Sequence, residues 1–250
     1  GGIIKKGIIP AEEIIGSDIM ETGRNHVKEL YGIQVTADNK EVAEKADILV
    51  LSVKPQFYAE TIQEIRESVR EDQMVITIAP GKTLAWLEEQ FGKPVRIVRT
   101  MPNTPALVGE GMTGVCYDEA LFTQEEKELL HTLFTSFGKM ELVEERLMDV
   151  VGSASGCSPA YVYMFIEALA DGCVKNGLPR AKAQEYAAQM LLGSASLTLE
   201  SGHHPGALKD AVCSPGGSTI AGVAALEDRG FRGAAIAAVE AAYRRTEELG

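Results

Sequence analysis

The residues best suited to chemistry lie at Ser214-Pro215-Gly216-Gly217-Ser218-Thr219, a turn that runs straight into a small-residue apolar segment with helical spacing. Glycines leave backbone N–H groups uncovered. A helix start aims further N–H groups the same way, with the positive end of its dipole behind them. Such a concavity suits a small carboxylate or phosphate, and the hydroxyls of Ser214, Ser218 and Thr219 can donate or accept within it. Taken alone, the same six residues also describe a capped helix after a turn. The rest of the chain decides between the two.

Three other loops carry polar groups behind apolar runs. Residues 47–53 form an almost uninterrupted β-branched and leucine run, the pattern of a strand buried on both faces, residues 74–79 repeat it, and 95–99 read as the next strand. They lead into Val53-Lys54-Pro55-Gln56, Ala79-Pro80-Gly81 and Thr100-Met101-Pro102-Asn103-Thr104-Pro105. In an open parallel sheet, ligands lie beyond the carboxyl ends of the strands, so these loops are expected to frame a cofactor crevice. Lys54 and Asn103 can hydrogen-bond ribose hydroxyls or a carboxamide, and Ala79 with Pro80 can form a flat apolar wall for a nicotinamide ring. Ser17 and Asp18, at the tip of an earlier strand, would meet the adenosine ribose. Asp18 suits NAD, whereas Ser17, Arg24, Asn25 and Lys28 suit the 2′-phosphate of NADP, and the sequence leaves both open.

The elements that must position these groups fall into two kinds. Up to about residue 145, short strands (13–18, 33–35, 47–53, 74–79, 95–99) alternate with helices of about ten residues or fewer (23–31, 40–45, 58–69, 84–91), which predicts a parallel sheet wrapped in helices. Residues 114–117 and 139–143 are expected to add edge strands around a helix at 124–137. From Arg146 onward no strand is predicted, and 159–176, 180–201, 206–212, 218–227 and 231–249 read as helices, with Ser158 capping the first ahead of Pro159. Two of these are apolar nearly all round and must be covered on every side. An all-helical stretch of this length cannot do that alone, so a second copy is expected to cover it. The expected class is therefore α/β, with a Rossmann-like domain at 1–145 and an all-α domain at 146–250.

Composition narrows the function classes. The formal net charge of −12 over 250 residues, with no basic run, argues against a nucleic-acid surface. No apolar run reaches membrane-spanning length, because Glu167 and Asp171 interrupt the longest one, and no signal peptide is visible at the start. Cys116, Cys157, Cys173 and Cys213 are scattered without metal-ligand spacing, which fits reduced thiols, a cytoplasmic setting and no zinc site. His203 and His204 read as a solvated loop before Pro205.

In Val53-Lys54-Pro55-Gln56, Met101-Pro102-Asn103-Thr104-Pro105, Ser155-Gly156-Cys157-Ser158-Pro159-Ala160-Tyr161 and residues 208–227 around Ser-Pro-Gly-Gly-Ser-Thr, the chain resembles the pyrroline-5-carboxylate reductases. The resemblance runs in order through essentially the whole chain. It implies reduction of a cyclic imine to L-proline, the last step of proline biosynthesis, with hydride from NADPH or NADH. It also implies a homodimer, open to a larger assembly of dimers, in which the helical domain dimerises and the site draws on both subunits. By the same resemblance, Gly216, Gly217 and Ser218 hold the substrate carboxylate through their N–H groups, helped by the Ser214 and Ser218 hydroxyls. Thr219 meets the ring nitrogen as the catalytic residue. Cofactor contacts fall to Ser17, Asp18, Val53, Lys54, Pro55, Ala79, Pro80, Gly81, Met101, Pro102 and Asn103. Relative to that family, the opening strand and glycine-rich loop are not found ahead of Gly1, so the chain as written is expected to bind cofactor poorly. Two other readings use the same fold. A 6-phosphogluconate-type dehydrogenase would need a lysine within 158–167, where none occurs. A non-catalytic dinucleotide-binding protein would leave Thr219 without a purpose.

Overall fold

The computed structural model describes residues 1–249. They divide into two compact units, one formed by Gly1–Cys157 with the chain from Ala242 onward, the other by Ser158–Ala241.

In the first unit the elements are α1 (Gly2–Lys5), β1 (Ile15–Ser17), α2 (Glu21–Tyr31), β2 (Gln34–Thr36), α3 (Asn39–Lys45), β3 (Ile48–Leu51), α4 (Tyr58–Ile65) and β4 (Met74–Thr77). They continue with α5 (Leu84–Phe91), β5 (Arg96–Met101), β6 (Gly111–Cys116), α6 (Gln124–Thr135), β7 (Gly138–Leu142) and α7 (Met148–Val151). β1 and β2 form a parallel pair of their own, and β3 to β7 form a five-stranded sheet in sequence order. β3, β4 and β5 are mutually parallel, whereas β6 runs antiparallel to β5 and β7 follows β6. The expectation of two edge strands is therefore corrected for the first of them. β6 lies inside the sheet. A close backbone approach sets its start: a Cβ at Gly138 would lie 2.0 Å from the Gly111 carbonyl oxygen, so β6 and β7 meet where only glycine fits.

Strand alternation divides the core. Leu49, Leu51, Val75 and Ile97 pack on one face with Tyr58, Ile62, Ile65, Leu87 and Phe91 from α4 and α5. Met74, Ile76, Val98 and Val115 pack on the other with Leu130 and Phe134 from α6. Each fully buried side chain of this size contributes about 1.5–3 kcal/mol. β4 is buried on both faces and β5 nearly so, but β3 departs from the expectation, because Val50 is 48% exposed. β3 is the last strand of its sheet, and α6 covers the strands further along.

The strand ends are tied by one phenol. Tyr58 Oη donates to the Leu51 carbonyl at 2.6 Å and accepts from the Ile78 N–H at 3.2 Å, fixing the exits of β3 and β4 against each other.

The second unit is helical: α8 (Ser158–Lys175), α9 (Arg180–Ser201), α10 (Pro205–Ala211), α11 (Ser218–Asp228) and the first part of α12 (Phe231–Leu249). The expected cap at Ser158 is corrected. α7 passes through a π-helical turn, Gly152–Cys157, directly into α8, so no helix starts there. The wide turn accommodates Pro159, which has no N–H for the ladder. Within this unit only small residues such as Ala170, Ala183 and Ala187 are buried, while Tyr163, Met164, Leu199 and Ile236 are 60–70% exposed. No helix among the described residues is long and apolar enough to cross a membrane.

Burial raises the Tyr58 hydroxyl from its ordinary pKa of 10.0 to about 12. A proton held more tightly in the folded state stabilises fully below the unfolded value and is lost as pH rises through the folded one. Tyr58→Phe should therefore lower stability by about 1–3 kcal/mol at neutral pH, because two backbone groups lose their partner. It should also flatten the loss of stability between about pH 10 and 12. Denaturant titrations across that range check both, and superimposable curves for parent and variant would contradict the assignment.

Candidate active site

α10 closes with the Val212 N–H donating to the Lys209 carbonyl at 3.2 Å and the Cys213 N–H to the Asp210 carbonyl at 3.0 Å. Its start is capped by His204, whose Nδ1 accepts from the Gly206 N–H at 3.0 Å, a role that the reading of His204 as merely solvated did not assign. The chain then makes a tight turn in which the Gly217 N–H donates to the Ser214 carbonyl at 3.0 Å. Pro215 presets the second position and Gly216, at φ +68, takes the third, a type II turn. Gly217 caps α11 in extended backbone (φ −79) and is needed for room: a Cβ there would lie 2.5 Å from Ser214 Oγ.

This geometry corrects one donor. The Gly217 N–H closes the turn and does not point outward, so its part is to let Ser214 Oγ close over the turn. The open donors are the Gly216 N–H and the first N–H groups of α11, from Ser218, Thr219 and Ile220, which no side chain caps. Ser214, Gly216, Ser218 and Thr219 are all exposed. Nearby, Lys209 pairs with Asp210 at 2.6 Å, which holds its pKa above the ordinary lysine value and keeps it charged.

In the first unit the structure brings the three exit loops to one end of the β3–β5 ladder. Lys54 is exposed, Val53 and Pro55 are half-buried, and Gly81 takes φ +73 in the loop before α5. Ala79 is 2% exposed and belongs to the core, so Pro80 supplies the accessible part of the expected apolar wall. Met101 is buried with Cys116 and Met148. Pro102 and Asn103 are half-buried. The Asn103 amide is engaged at both ends: Oδ1 accepts from the Met112 N–H at 3.0 Å and Nδ2 donates to the Ser155 carbonyl at 3.1 Å. Burial pushes the Cys116 thiol above its ordinary pKa, with Glu145 adding to the effect and Arg99 opposing it.

At the tip of β1, Ser17 Oγ donates to Asn39 Oδ1 at 2.7 Å, and Asn39 Nδ2 donates to Glu64 at 2.8 Å. Asn39 escaped the sequence reading, because nothing in residues 36–41 marks it beyond the helix cap at Asp38. Asp18 accepts from the Met20 N–H at 2.8 Å, and Gly23 gives its carboxylate room, since a Cβ there would lie 2.5 Å from Oδ2. Arg24 wraps the same loop, with Nη1 donating to the Asp18 carbonyl at 2.7 Å and the Ile19 carbonyl at 3.2 Å. A second residue that escaped the reading is Arg99, buried in β5 between Glu145 at 3.3 Å and Asp149 at 2.6 Å.

Comparison with known proteins bears on the whole chain. Residues 145–249 match the family model described as pyrroline-5-carboxylate reductase dimerisation, and residues 1–81 match that of NADP oxidoreductase, coenzyme F420-dependent. The pyrroline-5-carboxylate reductase of Escherichia coli strain K12 is 47% identical over 88% of this chain and 81% of its own length. The soybean (Glycine max) enzyme of the same name is 39% identical over 99% of this chain and 90% of its own. The crystal structure of Plasmodium falciparum pyrroline carboxylate reductase with NADP bound superposes with a TM-score of 0.89 at 34% identity, covering all of this chain and 92% of that one. With the turn at Ser214, the exit loops of β3–β5 and these relatives taken together, the chain belongs to the pyrroline-5-carboxylate reductase family.

Proposed function

We propose that this protein reduces 1-pyrroline-5-carboxylate to L-proline with NADPH, and that residues 1–145 serve the cofactor while residues 146–250 serve the substrate and the dimer. The observation that carries the reading is the Ser214–Gly217 turn feeding an uncapped helix N-terminus in a chain of this family. The substrate carboxylate sits on the N–H groups of Gly216, Ser218 and Thr219 with the Ser214 and Ser218 hydroxyls. An anion at such an exposed terminus gains about 0.3–1 kcal/mol from the dipole before specific hydrogen bonds are counted. The Thr219 hydroxyl hydrogen-bonds the ring nitrogen and orients the imine carbon. A cyclic imine is basic enough to arrive protonated, so the protein supplies position and not a strong acid.

The reduced nicotinamide supplies the hydride that converts the protonated C=N bond into the secondary amine of proline. Val53, Lys54, Pro55, Pro80, Gly81, Pro102 and the backbone of Ala79, Met101 and Asn103 frame its crevice. Ser17, Asp18 and Asn39 hold the adenosine ribose. Arg24 favours NADPH over NADH, because its Nε and Nη2 are left for a 2′-phosphate, whereas Asp18 is engaged by its own loop. The NADP-bound Plasmodium relative supports the same choice. A homodimer built through the helical region is the working unit, from which larger assemblies of dimers would grow. A cytoplasmic setting fits the four free thiols.

The reading is tested by following loss of NADPH absorbance with 1-pyrroline-5-carboxylate and by identifying proline as the product. Thr219→Ala should lower kcat by about 10- to 100-fold with the fold intact. An unchanged rate would remove Thr219 from the mechanism. Gly217→Ala, which forces Ser214 Oγ aside, should raise KM for the imine by about tenfold and leave NADPH binding unaltered. Equal KM values in parent and variant would mean that the turn does not hold the carboxylate.

A further inference from the structure

We propose that Arg99 is a positioning residue of the cofactor crevice, setting the loop after β4 and the loop after β5 against one shared segment, residues 145–155. The inference rests on the NADPH-dependent reading above and concerns Arg99, Glu145 and Asp149, which are not among the crevice residues named there. Arg99 is 1% exposed, on the β5 face shared with Met101. Its guanidinium forks to Glu145 through Nη1 at 3.3 Å and to Asp149 through Nη2 at 2.6 Å. The same Glu145 oxygen accepts the N–H of Leu84, the first residue of α5, at 2.6 Å. One carboxylate oxygen therefore connects the end of the Ala79-Pro80-Gly81 loop to β5.

The β5 exit is set against the same segment by three further contacts. Met148, between the two carboxylates in sequence, is fully buried against Met101 and Cys116. Gly152 and Gly156 lie beside Met101, where a Cβ at the first would stand in ordinary contact at 3.4 Å from Met101 Cε and at the second 3.8 Å from its Sδ. Asn103 then donates to the Ser155 carbonyl at 3.1 Å. Without the Arg99 cation, Glu145 and Asp149 would lose the charge that draws both to the buried face of β5, and the hold of the segment on the sheet would weaken. The planar guanidinium offers a separate Nη group to each carboxylate in a fixed geometry, which the shorter, freely rotating ammonium of lysine does not reproduce. The neighbouring crevice loops would then lose their common reference while the β3–β5 ladder stayed intact.

The test uses Glu145, which is partly exposed, together with Arg99→Lys, in the intact enzyme. Trp86, the only tryptophan of the chain, lies two residues beyond Leu84 and serves as the fluorescence probe of this loop. Glu145→Ala should raise the NADPH dissociation constant by about tenfold and shift Trp86 emission, while KM for 1-pyrroline-5-carboxylate at saturating NADPH stays within about twofold. Glu145→Gln keeps an acceptor for the Leu84 N–H and should recover most of the affinity. Arg99→Lys should weaken NADPH to a similar degree. Variants with a lowered melting temperature but the parent's NADPH dissociation constant would overturn the inference and leave the function intact. A parent enzyme that neither binds NADPH nor turns over would overturn the functional reading and this inference with it.

Discussion

One rung of the sheet, Leu51–Thr77–Arg99, sets everything that follows in the first unit. Three parallel strands aligned at that level release their chains at the same edge, which is why three short loops converge there. Each neighbour of the rung is tied down by a polar group the strands do not supply. Tyr58 joins the Leu51 carbonyl to the Ile78 N–H. Thr100 Oγ1 donates to the Thr77 carbonyl at 2.8 Å in a buried contact. Arg99 reaches past the sheet to Glu145 and Asp149. The Tyr58 and Thr100 bonds and the Arg99 guanidinium are buried, where a lost partner is costly and the geometry is correspondingly stiff. On the cofactor reading proposed above, loops framed this way would be preorganised and leave a dinucleotide little loop entropy to remove.

The second unit works by the opposite logic. Its useful groups are exposed, and what fixes them is backbone geometry: a type II turn, a glycine that leaves room for Ser214 Oγ, and an uncapped helix start. Its apolar side chains are largely uncovered within one chain, which a stable helical unit tolerates only when a partner buries them. The match of residues 145–249 to a dimerisation family accounts for that surface without any further device.

Much of this was legible in the sequence, and the exceptions have physical reasons. Buried strands announce themselves by β-branched runs, so β3, β4 and β5 are legible in the sequence, although β5 runs on through Thr100 and Met101, which read as loop. β6 was not recognised as an interior strand because Gly111 and Gly114 dilute its pattern, and its place depends on a glycine-to-glycine approach across to Gly138. The π turn before Ser158 has no periodicity signature, so Ser158-Pro159 read as a helix start. Arg99 carries a signal in the sequence itself. Arg96 and Arg99 are three apart on one strand and must face opposite sides, so one of them had to find a place in the core. The Gly217 donor was also decidable, because Pro and Gly at the centre of a type II turn commit the next N–H to closing it.

The central claim is that hydride passes from the reduced nicotinamide to the imine carbon of 1-pyrroline-5-carboxylate held at the Ser214–Thr219 turn. The most direct measurement is to run the reaction with NADPH deuterated at the transferable C4 position and locate the label in the product by mass spectrometry and NMR. The account predicts proline carrying one deuterium at C5, the former imine carbon, with Thr219→Ala forming the same labelled product more slowly. Proline without deuterium, or NADPH consumed without proline formation, would contradict it.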